Sequence, residues 1–254
     1  MKLDLIIRGG ELVVPKLGIV SGDLGVREGR VAVISQKSKE LEAEKEIDAQ
    51  GLHILPGLID PHVHLGFGGP LDQELRTESS SAAAGGVTTM LITLVSSKSY
   101  LNLPRRIATG QEHSLVDFSF HLGILSEEHL DQLELYRKEL GIASFKFFMG
   151  YKGEEARQLG ISSDIDDGFL YESFSKIAKL SRGVALVHAE NIEIITRCKK
   201  KLINEGREGL SAWNQARPDF AEGENINRAL YLGKVTGCPV YIVHMSTEEG
   251  YHIF

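Results

Sequence analysis

Gly51-Leu52-His53-Ile54-Leu55-Pro56-Gly57-Leu58-Ile59-Asp60-Pro61-His62-Val63-His64 marks the place where the chain changes character. Before it, residues 3 to 50 read as short strands, LDLIIRGG, ELVVP and GDLGVREGRVAVIS, with Gly9, Gly10, Asp23 and Gly29 as turn signals. That pattern predicts a small β domain over residues 1–52. After it, apolar strand-like runs alternate regularly with helical stretches.

The predicted strands are 53–64, 87–95, 117–125, 143–149, 183–190 and 238–246. Helix-like segments at 73–84, 126–140, 169–181 and 222–236 lie between them, each long enough to carry the chain from one parallel strand to the next. Strands this apolar and β-branched suit a sheet buried on both faces. Periodicity alone allows either an open doubly wound sheet or a barrel. After the sixth strand, Ser246-Thr247-Glu248-Glu249 reads as a capping box opening another helix. Six strands leave two open edges in a barrel of eight, so the chain is expected to stop before such a barrel closes.

With 254 residues, 42% hydrophobic and 25% charged, the chain has ample material for a core and no disordered bias. Twenty-eight basic against 35 acidic side chains give a formal charge of −7, which argues against nucleic-acid or anionic-membrane binding. The basic run Arg197, Lys199, Lys200, Lys201 falls in a helical pattern and reads as a solvated face. The two cysteines, Cys198 and Cys238, give no disulfide framework, and the start of the chain reads as neither signal peptide nor membrane span. A cytoplasmic protein is expected.

Chemistry concentrates at strand ends. His62 and His64 are two positions apart on a strand, so both rings face one side and can reach one metal ion. His188 ends VALVH and His244 ends VYIVH; each alone suits a structural histidine, but in a barrel the carboxyl ends of strands surround one site. Lys146 lies within Ser144-Phe145-Lys146-Phe147-Phe148-Met149, where an ammonium must either snorkel to water or change chemically. Burial favours its neutral amine, which can add carbon dioxide to become an anionic ligand with two oxygens. His53, His113, His121, His129 and His252 read as structural or exposed. The glycines of Gly66–Pro70 and of Gly85-Gly86 match no phosphate-loop fingerprint.

GLIDPHVHLGF, SFKFFMGYKG, LVHAEN and YIVHMS, in this order, resemble the metal-ligand blocks of hydantoinases, dihydropyrimidinases and allantoinases in the amidohydrolase superfamily. The likeness runs from LIIRGGELV to Phe254 and includes ARPDFAEGENINRA at 216–229. It implies an incomplete (β/α)8 TIM-like barrel, with residues 53–254 as its first six β/α units and residues 1–52 as part of a small N-terminal β-sandwich. It also implies two Zn2+ ions per subunit. His62 and His64 would hold the more buried ion, His188 and His244 the more exposed one, and carbamylated Lys146 would bridge them. Tyr151 would donate a hydrogen bond to the oxyanion formed when a metal-bridging hydroxide opens a cyclic amide such as hydantoin or a dihydropyrimidine.

An allantoinase or dihydroorotase-like activity, or a non-catalytic dihydropyrimidinase-like scaffold, are the alternative readings. All five assignable ligands are retained, which disfavours the scaffold. The family's proton-shuttling aspartate has no counterpart in the sequence, so the 254-residue chain by itself is expected to be inactive. A homo-oligomer, dimer or tetramer, is a further implication of the resemblance.

Overall fold

The computed structural model describes residues 2–36, 40–158, 161 and 165–253. Phe254, the end of the family likeness, lies outside them. Two compact units divide the chain, residues 1–58 and 59–254.

The first unit is one five-stranded mixed sheet. β1 (Leu3–Val14), β2 (Gly18–Arg27), β3 (Arg30–Ser35) and β4 (Ala43–Asp48) lie in the order β3-β2-β1-β4, and β5 (His53–Ile54) also pairs with β1. The two runs predicted on either side of Gly9-Gly10 are therefore a single strand. A register shift between Ile7 and Gly10 accommodates the glycines, and Gly9 takes φ +70°, open to it because it has no Cβ. The Asp23 carboxylate accepts from the Gly9 amide at 2.7 Å, which fixes the irregularity.

The second unit alternates strand and helix as the sequence predicts. Its elements are β6 (Leu58–His64), α1 (Leu71–Ala84), β7 (Val87–Leu94), α2 (Leu103–His113), β8 (Asp117–Gly123), α3 (Glu127–Asp131) and α4 (Leu133–Glu139). They continue with β9 (Ser144–Phe148), α5 (Gly153–Gln158), α6 (Asp167–Ile177), β10 (Val184–His188), α7 (Ile192–Asn204), α8 (Leu210–Gln215), α9 (Asp219–Thr236), β11 (Val240–Ile242) and α10 (Glu248–Ile253). The six strands of this sheet stand in unbroken sequence order from β6 to β11, and β7 through β11 pair in parallel. Consecutive order with a helical crossover at each step is the barrel-type winding; a doubly wound sheet would reverse direction part-way. Leu94, Leu122, Phe145, Phe147, Ala185 and Val187 are fully buried in the core this sheet shares with its helices.

Most boundaries move by a residue or more, the sixth strand shrinking from the predicted 238–246 to Val240–Ile242, and four further differences have a visible cause. The predicted strand 53–64 is split, because His53–Ile54 pairs with β1 whereas Leu58–His64 joins the second sheet. The predicted helix 126–140 is broken at Gln132 (φ −96°, ψ 2°), whose side-chain oxygen accepts from the Ser99 and Tyr136 hydroxyls. α9 begins at Asp219, behind Pro218, rather than at 222, which places Asp219 and Glu222 in a first turn that favours acids. Finally, Thr247 rather than Ser246 caps α10: its hydroxyl accepts from the Gly250 amide at 3.1 Å, while Ser246 bonds elsewhere.

Candidate metal and catalytic site

The strand ends of the second unit bring the five anticipated ligand residues together. His62 and His64, on the same face of β6, place their Nε2 atoms 3.1 Å apart. From the middle of β9, Lys146 brings its Nζ to 3.2 Å from His62 Nε2. His188 closes β10, and its Nδ1 lies 3.1 Å from Nε2 of His244, two residues past β11. The rings of His62 and His244 have centroids 5.8 Å apart although their strands are the two ends of the sheet. A flat sheet would separate six strands by roughly 24 Å. The sheet is therefore curled, with its strand-end side chains pointing inward.

Each pair has its own supports. Thr93, fully buried on β7, sets its hydroxyl 3.1 Å from His62 Nδ1, leaving Nε2 to face the cluster. His121 is buried below, its Nε2 2.9 Å from the Pro61 carbonyl oxygen and its Nδ1 2.6 Å from the Ser144 hydroxyl. On the other side, Glu190 holds His188 Nε2 at 2.8 Å and is itself 3.4 Å from Arg217, whose guanidinium covers the Trp213 ring. A carboxylate on the outer nitrogen of a ligating histidine fixes tautomer and ring plane. Gly150 permits the close approach of its chain to His188: a Cβ there would lie 2.8 Å from Nε2. Beyond it, the half-buried Tyr151 packs between Phe148 and His188, at centroid distances of 6.0 and 5.4 Å.

Burial lowers the proton affinity of Lys146, His62, His64 and His244. Burial alone pulls the Lys146 amine down to about 7, and among the described residues no carboxylate pairs with it. Loss of surrounding water, then the Lys146 charge and the neighbouring imidazoles, push His62 down to about 2 and His64 to about 4. His244 falls to about 4 by desolvation first and the charge of His188 second. Neutral imidazoles with free lone pairs are what a metal needs. The donors form two pairs; among the described residues no three His, Cys, Asp or Glu side chains are arranged to hold an ion by themselves. Neither pair makes a complete ion site by itself, and Lys146 lies beside the first.

The histidines outside the ligand set are accounted for elsewhere. His53 faces Glu11, His113 contacts Arg76, His252 stands near Glu248, and His129 is buried with its Nε2 2.9 Å from the Lys98 carbonyl oxygen. His121, read from the sequence as structural or exposed, is such a buried support, whereas Thr93, Glu190 and Arg217 were not singled out. Glu190 alone carried a local signal, two residues after His188.

A curled parallel sheet in consecutive strand order, with paired imidazoles at its strand ends beside a buried lysine, defines an α/β protein wound in the manner of a TIM-type barrel. Sequence comparison narrows this. The chain is 34% identical over 97% of its length to an allantoinase of Desulfitobacterium hafniense and 31% identical over 97% to an L-hydantoinase of Paenarthrobacter aurescens. It superposes on the structure of L-hydantoinase (dihydropyrimidinase) from Arthrobacter aurescens with a TM-score of 0.85, covering 99% of this chain and 55% of that one at 29% identity. Over 97% of its length the chain is thus homologous to proteins named hydantoinase and allantoinase. No family model matches it. It spans about half the length of the curated relatives it matches.

Proposed function

We propose that the chain supplies the metal-binding portion of a cyclic amidase that hydrolyses the ring of a hydantoin or dihydropyrimidine. The observation that carries this reading is Lys146: fully buried, without a carboxylate partner among the described residues, held near neutrality and 3.2 Å from His62. A neutral amine can add to carbon dioxide and lose a proton, becoming a carbamate whose two oxygens would complete both imidazole pairs. His62 and His64 would hold one zinc ion, His188 and His244 the other, and carbamylated Lys146 would bridge them. When bound, such a pair of ions lowers the pKa of water and polarises the amide carbonyl.

The protein's own groups do the rest. Thr93 and Glu190 hold the rings of His62 and His188 in the plane their ligand atoms require. Tyr151, its ring steadied by Phe148 and His188, donates its hydroxyl proton toward the oxygen on which charge develops. The relatives named hydantoinase favour a hydantoin-like substrate, and the 34% identical relative named allantoinase favours allantoin as the second reading of the same chemistry. A reducing cytoplasm suits the unbridged Cys198 and Cys238, and assembly into dimers or tetramers belongs to the same reading.

The test joins metal content with activity. The protein purified without chelator should carry about two zinc equivalents per chain, and Lys146→Ala should lose them. Ring opening of hydantoin, dihydrouracil and allantoin, followed in the full-length protein that contains this chain, should fall with the metal and recover in part when acetate or propionate replaces the bridge. A Lys146→Ala protein with both ions and full rate would remove the proposal.

A further inference from the structure

Glu222, in the first turn of α9, is the one acidic side chain among the buried described residues, and its carboxylate is saturated by a single short segment. The Ser246 amide donates to both of its oxygens, at 3.0 and 3.2 Å, and the Ser246 hydroxyl adds a third bond at 3.1 Å. The Thr247 hydroxyl donates a fourth, at 2.5 Å, while accepting from Gly250 at the start of α10. These donors begin two residues after His244.

His244 needs such an anchor. β11 ends at Ile242, and the last ladder bond is from the Val243 amide to the Val187 carbonyl at 3.2 Å. His244 then takes φ +39°, a left-handed conformation uncommon for a residue with a Cβ, and one that a specific hold on the following residues can fix. On the strand side the turn is held by that ladder bond, and on the far side by Glu222. Glycine makes the packing possible: a Cβ on Gly250 would meet Ile226 at 2.6 Å and Glu222 at 3.3 Å.

The geometry assigns to Glu222 the role of a positioning residue that fixes the strained turn at His244 and so aims its imidazole at His188. This rests on the reading of His244 as a metal ligand, and it links α9, an element that contributes no ligand of its own, to the second imidazole pair. A buried carboxylate that takes four contacts from three donors, two on each oxygen, is a rigid clamp, because weakening them exposes acceptor capacity that water cannot replace.

Zinc binding by the whole chain tests the assignment, with Glu222→Gln, His244→Ala and the double variant compared with the unaltered protein. Glu222→Gln keeps size but replaces one of the two acceptor oxygens with an NH2 group, a donor where Ser246 and Thr247 already donate. It should weaken the second zinc ion about 10- to 100-fold, the range seen when an outer support of a metal ligand is lost. It should also change the visible spectrum of the cobalt-substituted protein. In the His244→Ala background the same substitution should add almost nothing, since Glu222 acts through that ring. Equal zinc affinity in Glu222→Gln, or an effect that simply adds to that of His244→Ala, overturns the assignment.

If the unaltered chain takes up no zinc, the metal reading fails. The positioning claim is then decided by NMR, where Glu222→Gln should lose both the exchange protection of the Ser246 amide and the ring-to-ring contact between His188 and His244. Retention of both would overturn it.

Discussion

The two imidazole pairs solve one problem in opposite ways. His62 and His64 come from one strand, two residues apart, and strand geometry alone sets their spacing. His188 and His244 come from different strands and meet only because β10 and β11 are neighbours and the chain turns sharply after β11. The first pair is backed by a buried hydroxyl and a buried lysine, the second by a carboxylate in contact with arginine and by the Glu222 clamp. A pair written into one strand needs little outside help; a pair assembled across strands needs a support for each ring.

The sharpest way to break this comparison is to delete one ring from each pair. His62→Ala removes the ring nearest Lys146 and should empty both sites, lowering ring opening by ~10³-fold or more, the scale of losing an activated nucleophile. His188→Ala should leave one ion bound. Metal analysis that finds both variants empty would show that the pairs are not separable units. Tyr151→Phe comes next: with both pairs intact, kcat should fall about 10²-fold with little change in KM or metal content, as for loss of one oxyanion donor. Steady-state kinetics read the split, and a change confined to KM would place Tyr151 in ground-state binding instead.

Smaller effects separate the supports. Glu190→Gln should weaken only the second ion, about 10-fold, and zinc titration of that variant should leave the affinity at His62 and His64 unchanged. The smallest expected effect is on stability without metal. His62, His64 and His244 have folded-state values below their ordinary 6.5, so the unfolded chain binds more protons as the pH falls. The contribution of these three rings is then complete above about pH 6.5 and declines as the pH drops toward 4, with His62 continuing the decline to about 2. Because two of the rings face solvent, the loss by pH 4.5 should be only about 1–3 kcal/mol. Denaturant midpoints across that range would measure it, and a His62→Asn protein should show a shallower slope.

The first pair was legible in the sequence because a period of two translates directly into a shared face. The second became legible only through the order of blocks, since nothing near His188 or His244 states which strands will be neighbours. The alternation of strands and helices was readable for the same reason as the first pair: it is local. What escaped was cooperative. The break at Gln132 depends on hydroxyls from Ser99 and Tyr136, the shift of the α10 cap depends on Glu222 claiming Ser246, and the separation of His53–Ile54 from β6 depends on β1. The supporting places of Thr93 and His121 were not legible because each is an ordinary strand residue until the sheet curls and brings it beneath His62.

The unbroken order of the six strands also governs timing. As the chain leaves the ribosome, each strand can add to the edge its predecessor has just made, so the sheet can grow from β6 outward without waiting for distant partners. The pairing of His62 with Lys146 can form once β9 is made, but the approach of His62 to His244 must wait for the last strand of the series. A nascent chain would therefore pass through a stage with three of its five anticipated donors in place. Completion of the second pair would then act as a checkpoint, closing the site only on molecules whose sheet has wound through to β11.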